Sequence, residues 1–426
     1  MKYKLEDKPK WLPMILYGLQ WWIVTIPAVI VMGLVVAKLH FGDDIEAQAF
    51  YMQKLFCVLG VTLLVQVLFG HKLPIVVGPA SILLVGILAS ASSGISTIYT
   101  SILIGGVFIL LIAVSGLLKY LQKAFTPRVI SVIILLVPIT LAPTIISLVF
   151  KNNSDPLFNF SFAIILLLVL MIVNQLLKGV WKSTTLIWGI LAGTLAYYLY
   201  NGFPMFDGQF VSEGMTIDEN IFLFIKPEFD AGVILSFLFC AVALMINEIG
   251  SIQAVGLMLE ARSIRKRTKR GVAVSGFSNI FSGLIGVIGA IDYSSSPGII
   301  SATQCASRFP FIPTAILLLI CSFFPVLSKL LLSVPNIVMG IVLLYVMVSQ
   351  YAAGMQLLVY QKAVVSFNDG AIIGVSLMVA LIISFIPKEV TDSFPSLVKP
   401  ILSNGFVMGV IMVLIMEHLV YFKKKS

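Results

Sequence analysis

Charge is scarce in this chain. Asp, Glu, Lys and Arg supply 11% of its 426 residues, against about 25% in soluble domains. So little charge cannot clothe a water-facing surface, which excludes an ordinary soluble globular domain. Histidine is scarcer still: the only three, His40, His71 and His418, lie at the edges of apolar segments. A metal-dependent membrane enzyme needs His, Asp or Glu clustered at membrane depth. Neither a metal centre nor a cofactor is therefore expected, and the chain does not read as an enzyme. Cys57, Cys240, Cys305 and Cys321 are scattered without paired spacing, which argues against a disulfide framework or a zinc site. A cleaved leader is not expected either, because the first apolar stretch is too long and no small-residue cleavage site follows it.

Apolar sequence is what the chain has in abundance. Hydrophobic residues make up 59% and the mean hydropathy is +1.06. Runs long enough to cross a bilayer, about 20 residues each, recur from Trp11 to Tyr421. The pattern predicts an all-α integral membrane protein with fourteen segments, at 13–38, 49–69, 74–90, 97–118, 126–149, 158–176, 181–201, 231–258, 271–290, 293–309, 312–333, 336–357, 370–387 and 401–421.

The net charge of +9 is divided by sides, not gathered for nucleic acid. With both termini cytoplasmic, fourteen spans place 21 of the 28 Lys and Arg on the inner side. These include Lys2, Lys4, Lys8 and Lys10, Lys72, Lys119, Lys123, Arg128, Lys178, Lys182, the run Arg262 to Arg270, Arg308, Lys362, and Lys423 to Lys425. Asp43, Asp44, Glu46, Asp218, Glu219, Glu228 and Asp230 fall on the other side. This is the positive-inside distribution, and it requires an even number of spans in the cytoplasmic membrane.

Two segments are not uniform apolar runs. The third reads Leu73-Pro74-Ile75-Val76-Val77-Gly78-Pro79-Ala80-Ser81, and the tenth Tyr293-Ser294-Ser295-Ser296-Pro297-Gly298. In each, an extended stretch meets a Gly/Pro pair and a helix starts only afterwards. The free N–H groups of that first turn, with the positive end of the helix dipole, point at whatever precedes it. Interrupted segments at matching positions of two halves are the best sequence pointer to a transporter binding site. The third and tenth match if the chain is two seven-span repeats of opposite orientation. Ala80, Ser81, Ser295, Ser296 and Gly298 are accordingly candidate solute contacts.

Carboxylates at membrane depth are costly and usually functional. Glu248 stands in Asn247-Glu248-Ile249-Gly250-Ser251 of segment eight, and Asp292 opens the break of segment ten. On a helix Asn247 and Ser251 share a face, while Glu248 points about 100° away. Asn247 and Ser251 suit hydrogen bonding to a polar solute. Glu248 faces either the same cavity obliquely or a seam between helix bundles, and is the candidate for proton coupling together with Asp292. Asp292 either caps the short helix, pairs across the cavity or sits in water at its mouth. Gln20 of segment one is a further candidate contact.

These residues resemble the nucleobase–ascorbate transporter family, the second type of nucleobase:cation symporter, which includes xanthine and uracil permeases. Its signature near span ten, (Gln/Glu/Pro)-Asn-x-Gly-x-x-x-x-Thr-(Arg/Lys/Gly), is met by Gly298 and Thr303, while Ser295, Ser296 and Gln304 depart from it. In span eight Gly250 matches, Asn247 occupies the family's glutamate position, and Glu248 comes one residue later. Span one has Gln20-Trp21 for the family's Gln-His. Leu73-Pro74 with Gly78, and Ser333-Val334-Pro335 with Gly340, also agree.

The resemblance implies a fourteen-span 7+7 inverted repeat with short strands and half-helices in spans three and ten. It implies a core domain (1–118 and 231–333), a gate domain (119–230 and 334–426) and a homodimer. The expected activity is proton-coupled import of a nucleobase, a purine such as xanthine or uracil, bound between the strands and span eight. Asn247 and Ser295 cannot offer the family's carboxylates, so the preferred base is left open. An anion transporter of the sulfate type, with the same fold, is the alternative. It would seat its anion between the half-helix N-termini and is expected to carry a soluble domain beyond the last span, and Glu248 would repel the anion. A non-transporting scaffold would need neither Glu248 nor the paired breaks.

Overall fold

Side chains cap the N-termini of six described helices, through Asp44, Thr126, Asp155, Asp230, Ser366 and Asn404. The computed structural model describes residues 1–118, 125–151, 155–178, 181–182, 184–203, 225–395 and 398–421. Lys119, Lys123, Asp218, Glu219 and Lys423 to Lys425 lie outside them. Helix α1 (Trp11–Phe41) is followed by α2 (Ile45–Leu68), which starts where Asp44 accepts the Ala47 N–H at 3.0 Å. Strand β1 (Val77–Pro79) leads into half-helix α3 (Ser81–Ala89), then α4 (Ile95–Ser115).

The next helices are α5 (Pro127–Thr140), α6 (Ala142–Phe150), α7 (Pro156–Leu176) and α8 (Thr185–Asn201). Thr126 and Asp155 cap α5 and α7, each with proline in the first turn, where its missing N–H costs nothing. Asp230 then caps α9 (Ala231–Met258), and α10 (Ile264–Ile285) follows. The basic run reckoned as a loop thus forms the first turns of α10, with Arg262 just ahead of them. Strand β2 (Ala290–Asp292) and half-helix α11 (Ser296–Thr303) precede α12 (Phe311–Ser322) and α13 (Pro325–Leu332). The last two bend by 83° at Phe323-Phe324, where Pro325 forbids a continuous helix. The chain ends through α14 (Asn336–Tyr360), α15 (Phe367–Ser384), the short α16 (Lys388–Asp392) and α17 (Lys399–Leu402), and α18 (Gly405–Ile415).

Among the described residues eight helices are long and apolar enough to cross a membrane, or nine if the bent α12–α13 pair is one span. Helices α1 to α4 and α9 to α13 pack mainly on one another, with α4 along α10 and α2 along α12. Helices α5 to α8, α15 and α18 gather around α14 and α5. The outer face of α7 is apolar and open, with Ile165, Leu168 and Ile172 exposed, as a lipid-facing helix requires.

Glycine determines how closely α4 and α10 approach. A Cβ on Gly276 would meet Leu110 N at 2.7 Å, and one on Gly106 would meet Gly276 O at 2.8 Å. Backbone touches backbone at this crossing, the small-residue contact common between membrane helices. It fixes α10, and α10 carries part of the site.

Candidate functional site

The two broken segments meet through short strands just ahead of their half-helices. β1 pairs antiparallel with β2, with Val77 opposite Asp292, Gly78 opposite Ile291 and Pro79 opposite Ala290. Ala80 N–H donates to Gly289 O (2.9 Å) and Tyr293 N–H to Val76 O (2.8 Å), extending the ladder at both ends. Half-helices α3 and α11 therefore start from one short ribbon. All its residues are buried, the condition under which non-helical backbone survives in a membrane. Gly78 is needed here because the Tyr293 ring lies across it, and the Tyr293 hydroxyl donates to Pro79 O at 3.1 Å.

Helix α9 passes beside this ribbon and uses its faces differently. Asn247 lines a narrow cleft bounded by Ile82 of α3, Ile134 and Val137 of α5, and Gln350 of α14. Asn247 and Gln350 are the polar groups of an otherwise apolar slot. Ser81, the first residue of α3, donates to Gln350 Oε1 at 3.4 Å.

Glu248 turns away from that cleft into packed protein, fully buried. Ser275 Oγ donates to its Oε1 at 2.5 Å and Gln66 Nε2 to the same oxygen at 3.2 Å, while the Asp292 N–H donates to Oε2 at 3.0 Å. Asp292, the last residue of β2, is also buried. Its backbone oxygen accepts from Ser251 Oγ at 3.0 Å, and its Oδ2 lies 3.1 Å from His71 Nε2. Burying ionisable groups costs several kcal/mol each unless donors and partners replace water. For Glu248 those donors come from α2, α10 and the ribbon itself, whereas both carboxylate oxygens of Asp292 are buried without a hydrogen-bond partner.

The candidate residues thus divide into three sets. Asn247 faces the cleft, with Ser81 beside it through Gln350. Ser295 and Gly298 are exposed at the start of α11, Ser295 makes no side-chain capping bond, and a Cβ on Gly298 would meet nothing within 4 Å. Gln20 keeps a buried amide nitrogen without a hydrogen-bond partner, on the helix that packs against β1 and α3.

The second set holds the ribbon. Ser296 accepts the Val76 N–H (3.1 Å) and donates to Tyr293 O (2.8 Å), Ser251 is bound to Asp292, and Ala80 is buried in the ladder. Glu248 and Asp292 form the third set, inside the protein. Asp292 is neither a cap of α11 nor a group in water at a mouth, because strand pairing turns its backbone inward.

Sequence reasoning missed His71, Gln66, Ser275 and Gln350. Gln66 and Gln350 carried a usable signal, since a polar side chain inside an apolar span needs a partner. His71 was counted as an edge residue, yet it is fully buried. Among the described residues no group of three or more His, Cys, Asp or Glu is placed to hold a metal ion.

Residues 12–389 match the permease family of the xanthine/uracil type. The chain belongs to that family. Its relatives include the xanthine permease of Bacillus subtilis, 25% identical, with 92% of this chain and 90% of that protein covered. Another is the nucleobase transporter PlUacP of Paenibacillus larvae, 25% identical over 91% of each chain. Among solved structures, the transmembrane domain of a cyanobacterium bicarbonate transporter, BicA, superposes with a TM-score of 0.64 at 14% identity, covering 89% of this chain and 97% of that one. At that identity the likeness is one of fold alone. The permease is an integral membrane protein and not an enzyme.

Proposed function

We propose that the permease imports a nucleobase, a purine such as xanthine or uracil, by proton symport across the cytoplasmic membrane. In this reading two seven-span inverted repeats form a core (1–118 and 231–333) that moves against a gate (119–230 and 334–426). Both termini are cytoplasmic and the unit is a homodimer. The family and the printed names of its relatives support a nucleobase as cargo. The observation that carries the mechanism is the division of α9: Asn247 faces the cleft between α3 and α5, and Glu248 faces the buried carboxylate behind the ribbon. The base would bind on the first face, against Asn247, Gln350 and the starts of α3 and α11. The proton would be held on the second.

The direct test is uptake of labelled xanthine, hypoxanthine, guanine, urate, uracil and sulfate into proteoliposomes under an inward proton gradient. Protonophore-sensitive accumulation of one base is expected. Uptake of sulfate alone would transfer the reading to an anion transporter.

Two variants locate the base. Gly298→Val is expected to weaken binding about tenfold, roughly 1.4 kcal/mol, with normal yield because space around its Cβ is free. Wild-type affinity by equilibrium binding would remove the start of α11 from the site. Asn247→Ala should raise KM about tenfold or more while leaving thermal stability near wild type, since one polar contact is lost from a cleft and no packed group is removed. An unchanged KM would show that the cleft is not where the base binds.

A further inference from the structure

The basic residues at the start of α10 point two ways. Arg267 turns inward and donates from one nitrogen to His71 O (3.0 Å) and Lys72 O (2.8 Å), where Lys72 folds the chain back at φ 56°. Glu6 accepts from Arg267 at 3.4 Å and also binds Arg308 at 2.9 Å. The other five, Arg262, Arg265, Lys266, Lys269 and Arg270, are exposed. Among the described residues none of these five side chains forms a hydrogen bond or an ion pair.

Helix geometry gathers them on one side. At 100° per residue, positions 265, 266, 269 and 270 fall within an arc of about 140°, with Arg262 just ahead of the helix. Farther along, the same side carries Ala273, Phe277 and Ile280, all at least partly open, with Phe277 59% exposed. The opposite side, with Val272, Ser275, Gly276 and Asn279, is buried, and α10 packs there on α4 and α9. The outer face thus passes from unpaired cations at Arg270 to open apolar surface at Phe277 over about 10 Å.

Helix stability does not call for cations here. No acid lies in the first turn and Ser263 makes no side-chain capping bond, while positive charge at a helix N-terminus opposes the dipole. Orienting the chain needs basic residues on one side of the membrane, not on one side of a helix. An anion with an apolar body satisfies the whole face, its charge among the cations and its hydrocarbon along Phe277.

We propose that this outer face of α10 is a docking site for anionic phospholipid, with the headgroup phosphate among Arg265, Lys266, Lys269 and Arg270 and an acyl chain along Phe277. The lipid holds α10 from outside. On the inner face of the same helix Ser275 donates to Glu248 and Asn279 to Ala290 O. Headgroup charge therefore bears on how firmly the ribbon and its carboxylate are held.

The test is binding of phosphatidylglycerol and of phosphatidylcholine with the same acyl chains to the purified full chain in detergent, read by native mass spectrometry. Wild type is compared with the pair Lys266→Gln and Lys269→Gln, and with the pair Lys266→Arg and Lys269→Arg. Each basic residue beside an anionic headgroup contributes about fivefold in affinity. The glutamine pair is therefore expected to bind phosphatidylglycerol about 25-fold more weakly, and the arginine pair as wild type. Phosphatidylcholine should bind weakly and alike to all three. Equal phosphatidylglycerol affinity in wild type and the glutamine pair would overturn the proposal and leave a basic run that only orients the chain. Ready displacement of phosphatidylglycerol by inorganic phosphate would overturn a lipid as the occupant, because the acyl chain would then add nothing.

Should the glutamine pair fail to fold, the wild type decides: equal affinity for the two lipids would overturn the proposal. This binding is read without any transported solute, so a wrong cargo would leave it intact. Initial uptake in phosphatidylcholine vesicles is expected to rise when phosphatidylglycerol is added for wild type, and not for the glutamine pair. Wild-type uptake indifferent to phosphatidylglycerol, with binding intact, would overturn the hold on the site.

Discussion

Glu248→Gln is expected to abolish accumulation of the base while leaving exchange across the membrane. For one proton per base, an inward gradient of two pH units sustains about a hundredfold accumulation, since each unit is worth about 1.4 kcal/mol. In the variant the ratio should fall to about one. Glutamine is nearly isosteric and still accepts the Asp292 N–H, and the Ser275 hydroxyl can turn to accept from the new amide. Only the Gln66 amide loses its acceptor on Glu248, while it keeps Gly271 O at 3.1 Å. That loss costs about 1–3 kcal/mol of stability, too little to unfold the protein. Counterflow of labelled base against unlabelled base separates the two effects. Full accumulation in the variant would remove Glu248 from the mechanism.

Gly276→Val should lose the fold itself. The valine would push directly against the backbone of α4, with its Cβ 2.7 Å from Leu110 N and 3.0 Å from Gly106 O. Neither atom belongs to a side chain that can rotate away. Overpacking with room to relax costs about 1–3 kcal/mol, and here α10 would have to leave α4, taking Ser275 from Glu248 and Asn279 from Ala290 O. The expected result is little monodisperse protein by size-exclusion chromatography. The neighbouring Phe277→Val, at a position 59% exposed, should behave as wild type. A stable, active Gly276→Val would mean that α4 and α10 do not approach this closely.

What was legible in the sequence followed from local chemistry. Gly78-Pro79 dictates where a helix cannot run, so β1 and α3 were within reach. In segment ten the helix begins at Ser296, so Pro297-Gly298 lies in its first turn and not before it, and the strand ends upstream at Asp292. Helical geometry alone separated Asn247 from Glu248, and the structure places one on the cleft and the other in the interior. The rest depended on distant partners. His71 follows Gly70 and precedes Lys72, a pattern that reads as a solvated turn. Only the packing of α10 through Gly271 and the fold-back at Lys72 bury it. Ser251 and Ser296 looked like solute ligands because Ser251 shares a helical face with Asn247 and Ser296 lies in the break of segment ten. Their partners are backbone groups of the ribbon, which exists only once residues 77 and 292 meet. Gln350 signalled a need for a partner as a polar group in an apolar span, but which partner was unreadable, since its neighbours across the cleft lie on helices far away in sequence.

The most direct measurement is proton movement evoked by the base. Wild type and Glu248→Gln would be reconstituted with a pH-sensitive dye inside the vesicles, no gradient imposed, and base added outside. The account predicts internal acidification on addition of the transported base in wild type. It predicts none in Glu248→Gln, although that variant still exchanges base. Acidification in the variant equal to that of wild type would contradict a proton held behind the ribbon.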